Sequence, residues 1–367
     1  MSARDRSRRT PAARTAARTV RGLVGLLAVA VLAACGTTSP AVTGGTAAPA
    51  APPPTTTGPG ATTASPTPAA TPTAAPAVTA VTATTLAVRL PAPAARVVAL
   101  PVADHLLLLG GLVAGSTSTQ VLRLDPVAGT VAAAGHLVHA THDAGGAVLG
   151  GSALVLGGGV TASAAWVQAV PAGGGAGTVV GQLPQPRSDH VVVSDGTTAW
   201  VVGGYATGPE LTDVLATTDG RTFHVVAHLV TGVRYAAAAL VGGALWVVGG
   251  EHGGTPVDLV QRVDLATGTA TVVAHLPAPL SHASAVTLDG ALLVVGGLRA
   301  GAPVDTVDRI DTATGTPTVV GHLPAPASDT AVAVLGGAAY VVGGAGAGGH
   351  PLTSVVRLTT GPASPAP

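Results

Sequence analysis

From residue 84 onward the chain alternates short apolar runs with turn signals, and the runs are rich in Val, Leu and Thr and too short to read as helices. One stretch shows the pattern in full. Residues 256–265 (PVDLVQRVDL) pass through Ala266-Thr267-Gly268 into residues 269–276 (TATVVAHL); residues 283–288 (ASAVTL) then turn at Asp289-Gly290 into residues 291–297 (ALLVVGG). Each unit thus holds four short β segments, joined by two-residue and glycine-bearing turns.

The unit repeats. An apolar run ends in a diglycine at Gly110-Gly111, Gly157-Gly158, Gly203-Gly204, Gly249-Gly250, Gly296-Gly297 and Gly343-Gly344, with spacings of 47, 46, 46, 47 and 47 residues. A period of that length built from four strands predicts a ring of blades. The last unit stops after its third strand, residues 353–358, whereas residues 84–93 (TTLAVRLPAP) repeat the fourth strand found at residues 270–279 (ATVVAHLPAP). The expected fold is therefore all-β: a six-bladed β-propeller whose last blade is closed by an N-terminal strand, which covers the edges at the seam.

Three of the glycine-terminated strands carry an aromatic at a fixed place: Trp200-Val201-Val202-Gly203-Gly204, Trp246-Val247-Val248-Gly249-Gly250 and Tyr340-Val341-Val342-Gly343-Gly344. Residues 183–190 (LPQPRSDH) stand between two blades. In these motifs the chain resembles the Kelch-repeat family, over about residues 84–360. The resemblance implies a Kelch-like propeller. It carries over no partner, because the aromatic usual on the fourth strand is replaced by Val or Thr, as at Thr271 and Val272, and the third unit alone keeps Arg187.

Ahead of the repeats lies a different kind of sequence. Arg4, Arg6, Arg8, Arg9, Arg14, Arg18 and Arg21 form a positive region, followed by an apolar run from Gly22 to Ala34 and then Cys35. This reads as a secretion signal at residues 1–34, too short to span ~30 Å of hydrocarbon at ~1.5 Å per helical residue. Leu32-Ala33-Ala34-Cys35 resembles the bacterial lipobox, which implies lipidation of Cys35, the one cysteine of the chain. Two acyl chains anchor stably where one does not. Residues 36–83 are almost all Thr, Ala, Pro, Ser and Gly, a composition that buries too little surface to fold and suits a tether. At ~3.1 Å per residue such a tether reaches on the order of 100 Å. The expected organisation is a signal peptide (1–34), the lipidated Cys35 with its tether (35–83), the propeller (84–360) and a disordered tail (361–367).

Charge narrows the partners. The formal net charge is zero, but seven of the 17 basic residues and one acid, Asp5, precede Cys35; the remainder holds 10 Arg against 16 Asp and Glu, a net of −6. Nucleic acid, which needs clustered cations, is excluded as a partner. The expected address is the extracytoplasmic face of the cell membrane, reached through the lipid anchor, with the propeller monomeric and facing envelope proteins or cell-wall glycan.

Chemistry is sparse. Counting fourteen residues back from each diglycine reaches the start of the innermost strand and gives Arg96, Asp143, Asp189, Tyr235, His282 and Asp329, polar in all six units. Propeller geometry predicts that they converge on one axis at the channel mouth. There they form either a ligand-binding pocket or merely the wet ends of strands, and three carboxylates brought together need a cation or Arg96 to compensate them. His142, His190 and Arg234 stand beside this set; Glu251-His252 either reaches the same mouth or is a solvated loop, and the solvated loop is the expectation. A second recurrence, His136, His228, His275 and His322, falls on the outer strand, where a shared metal is geometrically excluded and a structural role is expected. Residues 217–223 (TTDGRTF) resemble the Asp-box turn of sialidases, a structural motif.

Residue inventory removes several propeller enzymes. A galactose-oxidase-like copper site needs a Cys already assigned to lipid; gluconolactonase-like and quinone-dependent sites lean on Asn or Lys, and the chain has neither. Arg96 and Arg234 alone make no sialidase arginine triad, and no nucleophile elbow, dinucleotide loop or P-loop occurs. Three readings remain: first a non-catalytic binding or scaffolding module for a protein, a glycan or a small solute, with no certain cofactor; then a hydrolase or lyase that uses the Asp/His ring with a divalent cation; and last a structural spacer with no specific ligand.

Overall fold

The computed structural model describes residues 78–361. Cys35 and most of the expected tether, with the signal segment before them, lie outside the described residues.

Six four-stranded antiparallel sheets follow one another along the chain, and their innermost strands neighbour one another in a closed ring. The first blade is Val98–Val102, His105–Leu109, Gln120–Asp125 and Thr130–His136, and the others repeat its meander. The innermost strands of the remaining five are Gly145–Leu149, Val191–Ser194, Ala237–Val241, Ser284–Leu288 and Ala331–Leu335.

Because each blade is covered by a neighbour on both faces, its second strand reads as a continuous apolar run rather than an alternating one. His105–Leu109 illustrates this. Leu106 and Leu108 pack into the core between the sixth and first blades, and Leu107 and Leu109 pack into the core between the first and second. One such core separates every adjacent pair of blades, so the stability of the ring resides in six interfaces.

The repeated diglycine fastens those interfaces. At Gly249-Gly250 both residues have positive φ, 63° and 99°, which glycine adopts without steric cost. Gly250 donates its N–H to the carbonyl of Leu280 in the next blade at 2.8 Å, and a Cβ on Gly249 would lie 2.1 Å from that same oxygen. Close backbone approach, as well as turn conformation, therefore demands glycine here. The same bond recurs in every unit, onto Thr141, Arg187, Val233, Ala327 and, at the seam, Ala94.

The N-terminal strand closes the sixth blade. It runs from Ala80 to Ala95 and pairs antiparallel with Leu352–Gly361, from Ala80 opposite Gly361 to Ala94 opposite Leu352. Both strands extend beyond the segments expected from the sequence, residues 84–93 and 353–358. The physical reason is packing: Val78 and Val81 are buried against Val320 and Leu323 of the fifth blade, a contact between blades that no pattern within the strand announces. Register breaks between Thr85 and Arg89 and again between Arg89 and Ala94 bend the long strand around the rim.

Two sequence features are absorbed by the fold. Asp219 of the Asp-box-like segment accepts the N–H groups of Arg221 and Thr222 at 2.8 Å each, which folds the hairpin between the third and fourth strands of its blade. The outer-strand histidines are exposed, and three of the four meet a local partner: His275 lies 3.0 Å from Asp258, His322 3.2 Å from Asp305, and His228 3.5 Å from Thr212. They share no ligand.

Candidate functional site: the channel mouth

Arg96, Asp143, Asp189, Tyr235, His282 and Asp329 all hold left-handed φ, between 51° and 60°. In five of the six the backbone N–H is turned toward the preceding blade. Asp189 donates to the carbonyl of Asp143, Tyr235 to Asp189, His282 to Tyr235 and Asp329 to His282, at 2.9, 2.9, 2.9 and 3.0 Å. Arg96 completes the circuit by donating to Asp329 at 3.0 Å, so five of the six possible links form a girdle around the axis, and the ring is crossed from last blade to first.

The side chains interlock above this girdle. The Arg96 guanidinium lies 2.9 Å from Asp143 and 3.3 Å from Asp329, standing between two of the three carboxylates. His282 Nδ1 donates to Asp329 at 2.7 Å, and its ring stacks on Tyr235 with centroids 3.9 Å apart. Arg96 and Arg234 sit over the Tyr235 ring at 5.5 and 5.3 Å, and Arg234 also lies 5.4 Å from the Tyr205 ring. The six residues predicted from the diglycine spacing are therefore brought together at one end of the channel.

Three neighbours behave differently from one another. Arg234 joins the mouth and pairs with Glu251 at 3.1 Å. His142 reaches Asp143 at 3.5 Å. His190 packs between the second and third blades against Gly157 and Gly204, where burial and the adjacent Arg187 push it down to about 3. It is a neutral core residue. Its partner Arg187 is fully buried and bonds the Gly203 carbonyl at 2.9 Å and Asp213 at 2.7 Å, which ties an inter-blade segment to the next blade.

Glu251 corrects an expectation. Instead of standing in a solvated loop, it turns into the mouth, 3.1 Å from Arg234 and 3.5 Å from His282. The Arg234–Glu251 bridge between their backbones aims both side chains at the axis. Glu210, from a loop of the third blade, also arrives there and accepts the Gly253 N–H at 3.1 Å. Nothing in the local sequence marks Glu210, since it is placed by a contact between loops of adjacent blades. His252 stays half exposed beside Gly232.

Crowded, partly buried charge sets the proton affinities. Burial, with Asp143 close by, raises Asp189 to about 6, against the hydrogen bond it receives from Tyr235. Asp143 is likewise raised by burial, opposed by Arg96. Asp329 goes the other way: burial would raise it, and the hydrogen bond and charge of His282, with Arg96, hold it below the ordinary value. Burial would lower Arg96, yet Asp143 and Asp329 more than reverse this. The Tyr235 hydroxyl is raised by burial and by Asp143 and Asp189.

Two spaces meet at this layer. Behind it runs the central channel, about 690 Å³, lined mostly by Ala, Gly and Val, with a few Ser and Thr, and by the free backbone edges of the six inner strands. In front, beside the second and third blades, lies a cavity of about 520 Å³ walled by His142, Ser163, Ser188, Asp189, Tyr205 and Arg234. Polar side chains are thus concentrated at one end of an otherwise bland channel. Among the described residues, no three His, Cys, Asp or Glu side chains are grouped to hold a metal ion, and none of the helices is long and apolar enough to cross a membrane.

Comparison with known proteins agrees with this architecture. Residues 279–316, in the fifth blade, match the Kelch motif. No curated protein matches the sequence. The fold is similar to the solved structure of YjhT, with a TM-score of 0.63 and 15% sequence identity over 76% of this chain and 99% of that one. At that identity the likeness is one of fold. Strand order and blade count together make this chain a six-bladed β-propeller, and its fifth blade matches the Kelch motif.

Proposed function

We propose that the protein is a binding module, held at the extracytoplasmic face of the cell membrane by lipid on Cys35, that receives its ligand at the channel mouth. The observation that carries this reading is the conformation of the six axial residues. A chain with 51 glycines keeps Arg, Asp, Tyr and His at six left-handed positions, where glycine would avoid strain of about 1 kcal/mol each. Strain retained around an open cavity supports a role for the side chains themselves. A girdle needed only to close the ring would be served by its backbone bonds.

Replacing all six axial residues by glycine separates these roles. Binding predicts that the variant melts at or above the temperature of the parent and loses every ligand-induced thermal shift given by a panel of cell-wall fragments and small solutes. A large fall in melting temperature would instead assign the side chains to holding the ring. Stabilisation of the parent by Ca²⁺, Mn²⁺ or Zn²⁺, lost in Asp189→Ala and His282→Ala, would favour a cation-dependent hydrolase or lyase over a binder.

A further inference from the structure

The balance of charge at the mouth identifies the kind of ligand. Asp143, Asp189, Asp329, Glu210 and Glu251 bring five carboxylates, and Arg96 and Arg234 bring two guanidinium groups. Both guanidinium groups are engaged twice over: Arg96 by Asp143 and Asp329, Arg234 by Glu251 at 3.1 Å and Glu210 at 3.8 Å. An anionic ligand would have to break these pairs and would meet a surplus of like charge.

Asp189 is the exception among the acids. Asp143, Asp329, Glu210 and Glu251 each lie within 4.0 Å of an Arg or His, whereas among the described residues Asp189 has no such partner. It faces both the space under the girdle and the 520 Å³ cavity in front. Besides His142 and the already paired Arg234, that cavity offers acceptors and aromatic surface. Ser163 and Ser188 pair through their hydroxyls at 2.9 Å, Ser163 also reaches the Tyr205 carbonyl at 3.1 Å, and the Tyr205 ring already carries Arg234 against it. Carboxylate, oxygen acceptors and an aromatic wall are the complement of a positively charged group rich in N–H donors.

We propose that this cavity takes a small organic ammonium ion, seated with its charge on Asp189. The inference rests on the binding reading above and specifies its ligand. Binding an ammonium ion supplies Asp189 with the contacting counter-charge that the more distant Arg234 does not provide, so ligand and proton compete for the same carboxylate. Since Asp189 holds its proton up to about 6, affinity should fall about tenfold between pH 7 and pH 5.

Calorimetric titration of the full chain with glucosamine, glucose and glucuronate tests this, because the three are similar in size and differ in charge. The expected result is binding of glucosamine at pH 7 at least tenfold tighter than glucose, no binding of glucuronate, and loss of glucosamine binding in Asp189→Asn. Ala162→Trp, which puts bulk into the cavity and replaces no carboxylate, should also abolish it. Tighter binding of glucose or glucuronate overturns the ammonium assignment while leaving a ligand at the mouth. Glucosamine binding that survives Asp189→Asn overturns it as well. So does an absence of heat with all three, in which case the six-glycine variant decides the binding reading separately.

Discussion

The N–H of Gly344 donates to the carbonyl of Ala94 at 2.8 Å, joining two residues 250 positions apart and fastening the end of the last blade to the start of the first. Leu90 and Ala94 are buried in the core between those blades, beside Leu106, Leu108 and Tyr340. Deleting residues 80–95 removes this ladder and that burial together. The full ring should then lose its cooperative melting transition. A deletion variant that melts like the parent would overturn the closure.

A single interface gives a finer measurement. Leu107 is fully buried between the first and second blades, so Leu107→Ala should destabilise by about 2–5 kcal/mol in chemical denaturation. Val225, on an outer strand and 53% exposed, serves as the control, since Val225→Ala should change stability by no more than about 0.5 kcal/mol.

Asp189 makes stability depend on pH in a direction opposite to that of an ordinary paired carboxylate. Its affinity for a proton is raised from 3.8 to about 6 on folding, so the folded chain holds the proton more tightly and stability falls as pH rises across that window. Asp189→Asn should therefore raise the melting temperature at pH 7.5, by the equivalent of about 1–2 kcal/mol, and have little effect below about pH 3.5. A melting series across pH on both proteins checks the sign.

Arg96 is the counterpart. Its loss leaves Asp143 and Asp329 facing each other without the charge that stands between them. Arg96→Gln should destabilise by roughly 2 kcal/mol at pH 7.5, discounted for the partial exposure of the guanidinium, and by less at pH 4.5, because burial raises the proton affinity of Asp143. Melting temperatures at the two pH values give the difference.

Attachment to the membrane is tested by Cys35→Ala. If lipid on Cys35 holds the protein, the variant should move from the membrane fraction to the soluble fraction of cells without losing the thermal transition of the propeller.

Much of the fold was legible because the diglycine repeat is a backbone requirement. Gly249 has no room for a Cβ, so the motif recurs wherever one blade meets the next, and counting residues back from it locates Arg96, Asp143, Asp189, Tyr235, His282 and Asp329. Glu210 and Glu251 lie on loops whose direction depends on the neighbouring blade, and His190 turned inward because its ring fills a gap beside Gly157. Such placements follow from contacts across blades, which a single repeat does not encode. The ends of the closing strand were missed for the same reason, since Val78 and Val81 are ordered by the fifth blade.

The long closing strand also has a mechanical consequence. The chain enters the ring at Val78 and runs at once into a ladder with Leu352–Gly361, the strand that ends the described chain. A pull along that strand from its N-terminal side is resisted by the whole row of backbone bonds in shear, not by one bond at a time. The latch that completes the circle is thus also where the propeller would bear any load arriving through the chain ahead of Val78.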